Sequence, residues 1–137
     1  MKTVAIILAA GKGIRMKSDL PKVSHTICGR PMIAMVLETV QKLHLDQVFV
    51  VVGYKAELVK DESRDFNVTF VEQKEQLGTG HAVMQVAPYI KDDSVVLVLN
   101  GDMPLIKDDT LREFIAFHML ERSVSASILT AELKDPG

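Results

Sequence analysis

Val4-Ala5-Ile6-Ile7-Leu8-Ala9-Ala10-Gly11-Lys12-Gly13-Ile14-Arg15-Met16 decides the fold, and Asp19-Leu20-Pro21-Lys22 continues it. The opening apolar run reads as a short buried strand. Small residues and two glycines follow, where a backbone can turn sharply and approach a ligand closely. Between Lys12 and Arg30 stand five cations (Lys12, Arg15, Lys17, Lys22, Arg30) against one acid, Asp19. Loop N–H groups and such side chains can share a polyanion, which suits a phosphate cradle. On composition alone the same stretch is also a solvated loop between a strand and a helix.

Two familiar phosphate loops do not fit. A P-loop needs glycine, four residues, then Gly-Lys-Ser/Thr. Counting back from Gly11-Lys12 puts Ile6 at the first glycine, and Gly13 takes the hydroxyl position. The dinucleotide fingerprint needs a third glycine where Met16 stands.

Working outward, Ile33, Val36, Leu37, Val40 and Leu43 recur at helical spacing after Pro31, which suits a first helical position. Residues 48–52 are a continuous β-branched and aromatic run, as in a strand buried on both faces. A short helix is expected over 56–60 and a third strand over 68–71. Gly78 to Gly80 opens a helix that stops near Pro88, and residues 95–99 form the most apolar strand, delivering Asp102 just past its end. Thr110-Leu111-Arg112-Glu113 fits a capping box for the next helix, and residues 124–133 read as a fifth strand. Strand–helix alternation implies an α/β fold, a mostly parallel sheet with helices on both faces. Ligands of such sheets bind outside the carboxyl ends of the strands. The glycine loop, the Gln73 segment and Asp102 all fall there, after strands one, three and four.

With 137 residues the chain suits a single domain, 1–137, with a real core. A net charge of −2 and the lack of Trp argue against a nucleic-acid surface. The anion-binding character is local. One cysteine, Cys28, excludes an internal disulfide and suits a reducing compartment. The first apolar run is too short for a membrane span, so a cytoplasmic chain without membrane contact is expected. His25, His44 and His118 share no metal-ligand spacing.

The opening motif, with Leu20-Pro21-Lys22, resembles that of the sugar-nucleotide pyrophosphorylases. Gln73-Lys74-Glu75-Gln76-Leu77-Gly78-Thr79-Gly80-His81-Ala82 narrows the resemblance to the N-terminal uridylyltransferase domain of the bifunctional N-acetylglucosamine-1-phosphate uridylyltransferases. Asn100-Gly101-Asp102-Met103-Pro104-Leu105 resembles their metal-binding segment. The resemblance covers essentially the whole chain and implies the N-terminal part of the nucleotide-diphospho-sugar transferase fold, Rossmann-like. It implies transfer of UMP from UTP to N-acetylglucosamine 1-phosphate with Mg2+. It further implies nucleotide contacts from Leu8, Ala9, Ala10, Gly11, Lys22, Gln73, Gly78, Thr79, Asn100, Gly101 and Asp102, with Arg15, Lys22 and Asp102 catalytic.

These residue types suit that chemistry. The attacking sugar phosphate is already ionised, so no activating base is required. The protein must align two anions and spread the charge that builds between them. Arg15 offers a forked donor and Lys22 a point charge. Asp102 suits Mg2+, which is often held by one or two carboxylates plus substrate phosphates. The alternative for Asp102 is a cap on the turn before Pro104. Gln73 can both donate to and accept from a uracil edge. Thr79 matches a nucleotide contact, whereas His81 reads as packing or a hydrogen-bonded scaffold.

Departures from the resemblance are Ile14 for a common Thr, Ser24 for an apolar residue, and Asn100 for the usual Tyr. Relatives also continue past Asp135-Pro136-Gly137 into their sugar site, a second metal ligand and a trimeric acetyltransferase domain. A fragment or shortened relative is therefore expected, weakly active or inactive alone and prone to self-association. A non-catalytic nucleotide-binding module and another cytidylyl or sugar-nucleotide transferase are the competing readings.

Overall fold

The computed structural model describes residues 1–121 and 123–134. Strand β1 (Thr3–Ala9) leads through 3-10 turns over Ile14–Met16 and Lys22–Ser24 to a small hairpin, β2 (Thr26–Ile27) and β3 (Arg30–Pro31). Then follow α1 (Met32–Gln41), β4 (Gln47–Val52), α2 (Ala56–Glu62), β5 (Thr69–Glu72), α3 (Thr79–Val86), β6 (Val95–Asn100) and α4 (Asp108–Leu120). The main sheet has the order β5-β4-β1-β6, and all its pairings are parallel. The expected mostly parallel α/β sheet is borne out.

The period of two along each strand sorts the core into two layers. Ala5, Ile7 and Ala9 of β1 join Val50, Val52, Leu97 and Leu99 beneath Ile33, Val36, Val40, Val59 and Leu111, from α1, α2 and α4. Val4, Ile6, Phe49 and Val51 face the other way, onto Ala82 and Val86 of α3. Full burial of an aliphatic side chain stabilises by about 1.5–3 kcal/mol, so β1, covered on both faces, is the fold's main anchor.

The chain steps outward from β1 to β4 and β5, then returns to place β6 on β1's other side. The carboxyl ends of β1 and β6 therefore diverge at a topological switch point, where open α/β sheets bind ligands.

Three expectations need correction. Residues 124–133 form no strand. Their β-branched and apolar pattern records fitness for a pleated surface, not a partner. No described strand pairs with them, and Ile128 is 84% exposed. Thr110 does not cap α4, which begins two residues earlier at Asp108 after Lys107. Asp108 and Asp109 lie in its first turn, where carboxylates meet the positive end of the helix dipole. Pro31 pairs with Thr26 in the hairpin, with ψ of 139°, and leaves Met32 as the first helical residue. Cys28 is an exposed thiol at the hairpin tip. Among the described residues no helix is long and apolar enough to cross a membrane. Asp135, Pro136 and Gly137 lie outside the described residues.

Candidate nucleotide site

Hydrogen bonds at the end of β1 anchor the start of the glycine loop. The Ala10 carbonyl accepts from Tyr54 N at 3.1 Å and from Gln76 Nε2 at 2.7 Å. Tyr54 also donates its hydroxyl to Asp19 O at 3.2 Å, and its ring lies 5.1 Å from Lys12 Nζ. Lys12 is thus engaged over an aromatic face, as a structural cation.

Gly13 sits at φ +68°, and a Cβ there would lie 2.7 Å from Lys22 Cβ. Only glycine allows this turn to pass so close to Lys22. Val23 and Ser24, buried, seat the Lys22 segment, and Ser24 Oγ donates to Glu62 Oε2 of α2 at 2.7 Å. Burial pushes the Glu62 carboxyl above its ordinary value; the bond from Ser24 opposes this and nearby Asp61 adds to it.

At the end of β6, Gly101 N donates to Leu8 O at 2.9 Å. A Cβ on Gly101 would come within 2.9 Å of Val23 Cγ1 and 3.0 Å of Leu8 O. That close approach sets Asp102 across from the Lys22 segment. Lys22 Nζ lies 2.5 Å from Asp102 Oδ2, with the side chains 48% and 23% exposed.

Gln73 follows β5 directly and is buried. Its Nε2 donates to Gly78 O at 3.2 Å and approaches His81 Nδ1 at 2.9 Å. Gly78, at φ +102°, precedes the first turn of α3, which carries Thr79 and His81.

These groups converge on one cavity of about 590 Å3, open to solvent. That volume lies within the range of small-molecule clefts, about 300–1,000 Å3. Leu8, Ala9, Ala10, Gly11, Arg15, Lys22, Gln73, Gly78, Thr79, Asn100 and Asp102 line it, together with Gly13, Val23, Gln76 and Ala82. Of the residues expected from the sequence, Gly101 alone does not line the wall; it is buried behind Asp102. Gln76 was missed; His81 is the hydrogen-bonded scaffold its position suggested, with Gln73 as the partner the sequence did not name. Gln76 stood inside the motif, but its bond to Ala10 spans 66 residues and left no local signal.

The cavity juxtaposes cations, a carboxylate and a recessed amide. Two cations at one end suit phosphates, and a buried amide at the other suits a planar polar group. Among the described residues no three His, Cys, Asp or Glu side chains gather as a metal cluster. Asp102 already holds a cation, the Lys22 ammonium, and its lone carboxylate suits a hard ion whose other ligands are water and substrate oxygens.

Comparisons with known proteins identify the family. A family model described as the MobA-like NTP transferase domain matches residues 5–132. A bifunctional protein GlmU from Alkaliphilus oremlandii is 52% identical over 136 residues, 99% of this chain and 29% of that protein. Its namesake from Saccharophagus degradans is 49% identical over 131 residues, 96% of this chain and 28% of that protein. The chain thus spans under a third of the length of these relatives. A solved nucleotidyl transferase from Methanothermobacter thermautotroptrophicus superposes with a TM-score of 0.73 at 20% identity, covering 84% of this chain and 57% of that one. That likeness shows the fold. The resemblance read from the three sequence blocks is borne out.

Proposed function

Since the chain belongs to the MobA-like NTP transferase domain family, we propose that its cavity binds UTP with Mg2+ for uridylyl transfer to N-acetylglucosamine 1-phosphate. A sugar-phosphate oxygen attacks the α-phosphorus, the bond to the β-phosphate breaks, and pyrophosphate leaves with the electron pair. UDP-N-acetylglucosamine is the second product. The observation that carries this reading is the meeting of Arg15, Lys22, Asp102 and Gln73 around one cavity at the sheet's carboxyl edge.

Arg15 and Lys22 serve as the triphosphate's cationic partners, and the loop from Ala10 to Gly13 approaches it with its backbone. Asp102 would hold the Mg2+, which when bound neutralises charge on the reacting phosphates. Gln73, with Gly78 and Thr79, meets the base. Alignment in line is what such a site contributes, since the nucleophile needs no deprotonation. In this reading the 137 residues form a single nucleotide-binding domain working in the cytoplasm.

Calorimetric titration of the chain with UTP, CTP and ATP, each with Mg2+, tests this reading. UTP is expected to bind most tightly. Equal affinity for the three would remove the uridine assignment, and no binding of any would remove the nucleotide site.

A further inference from the structure

We propose that His81 is a specificity-determining positioning residue: it holds the Gln73 amide in one orientation, so that the cavity is offered a hydrogen-bond acceptor and takes uracil over cytosine. The inference rests on the uridine reading above and adds a cause for its selectivity.

The Gly78 carbonyl can only accept, so the end of the Gln73 amide facing it at 3.2 Å is the NH2 group. That group has a second hydrogen, and His81 Nδ1 lies 2.9 Å away. A neutral imidazole accepts at only one ring nitrogen, and we take Nδ1 as that acceptor, with the proton on Nε2, because Gln73 is buried and has no water to turn to. Gln85 Nε2 donates to the His81 carbonyl at 3.2 Å, one turn along α3. It also lies 3.1 Å from the ring's Nε2, a contact between two donors in this tautomer, and the partly exposed Gln85 amide relieves it by turning away, at the loss of its bond to the His81 carbonyl.

With both amide hydrogens taken inside the protein, Gln73 has only Oε1 left to offer. Oε1 bonds no described residue and is not among the buried polar atoms sealed without a partner. Gln73 lines the cavity while being only 4% exposed. A buried acceptor facing a pyrimidine edge accepts from the uracil ring N–H. Cytosine puts a bare ring nitrogen at that place, which sets two lone pairs against each other. Without the His81 acceptor, one amide hydrogen is free and the group can turn, presenting a donor that cytosine accepts. Discrimination therefore depends on a ring that touches no base itself.

The test compares dissociation constants for UTP and CTP, with Mg2+, in the parent chain, His81→Ala and His81→Asn. The Asn Oδ1 replaces Nδ1 as acceptor. His81→Ala is expected to lose most of the parent's preference for UTP, roughly tenfold, and His81→Asn to restore much of it. A folded His81→Ala with the parent's UTP-to-CTP ratio overturns the inference and leaves the uridine reading intact. A parent chain that binds both equally overturns the reading and the inference with it. The tautomer supplies an independent measurement on the unaltered chain. Long-range proton–nitrogen spectra at mildly alkaline pH are expected to show His81 protonated on Nε2, and protonation on Nδ1 instead contradicts the proposal.

Discussion

Lys22 Nζ lies 2.5 Å from Asp102 Oδ2, so the cation assigned to the triphosphate and the carboxylate assigned to the metal neutralise each other across the cavity. Half-exposed ion pairs contribute about 0–1 kcal/mol, which makes this one easy to exchange. On the proposed reading, nucleotide and metal would swap each partner for a new one: phosphate for Lys22, the divalent ion for Asp102.

The exchange has measurable consequences at both ends. Lys22→Ala frees the carboxylate, so Mn2+ added without nucleotide, followed by spin resonance, is expected to bind more tightly than to the parent. The same variant is expected to bind UTP more weakly by about tenfold to a hundredfold, the scale of a lost charged hydrogen bond. Asp102→Asn should abolish the Mg2+ dependence of UTP binding and leave metal-free binding equal or tighter. A lower melting temperature with unchanged metal dependence would make Asp102 a turn residue.

Gly13→Ala tests the geometry that places Lys22. The new methyl meets Lys22 Cβ at 2.7 Å and sits at φ +68°, whereas Gly29→Ala has φ +78° with nothing within 4 Å. Left-handed backbone costs each about 1–2 kcal/mol. Both variants are therefore expected to lose stability, and only Gly13→Ala to lose UTP affinity as well. Parallel losses of affinity in the two would show that strain, not Lys22 placement, governs binding.

Glu62 gives a pH signature of the brace behind Lys22. Its carboxyl is raised above 4.5 chiefly by burial, so the folded chain holds that proton more firmly than the unfolded chain. Stability from this group is present below 4.5 and is lost as pH rises through the raised folded value. Glu62→Gln removes the ionisation while keeping an acceptor for Ser24. Its melting temperature is expected to exceed the parent's at neutral pH, with the gain vanishing in acid. A gain independent of pH would contradict this sign.

Much of the architecture was legible because β1, β4 and β6 are apolar runs bounded by glycine or polar turns, and buried strands have no other sequence signature. The lining of the candidate cavity was legible for the same reason: Ala10, Gly11, Gln73 and Asp102 each stand just past a strand's end, and parallel strands bring those ends together. What escaped is which partner each side chain meets, whether that partner is near or far in sequence. The Lys22–Asp102 pair spans the β1–β6 crossover and requires Gly101 to approach Val23 and Leu8. The Gln73–His81 contact follows from the turn at Gly78, whose positive φ no neighbouring residue announces. Residues 124–133 show the converse, a strand-like composition without a strand to pair with. In α4, the acidic first turn outweighed the Thr110 motif.

The central claim is that one cavity, built at the ends of β1, β5 and β6, takes the nucleotide. A proton–nitrogen correlation spectrum recorded while UTP and Mg2+ are added to the labelled chain tests it residue by residue. The account predicts saturable shifts at Gly11, Gly13, Arg15, Lys22, Gln73, Gly78, Thr79 and Asp102, with His44 and Leu45 at the opposite end of the sheet unmoved. Shifts centred away from that group, or none at nucleotide saturation, would contradict it.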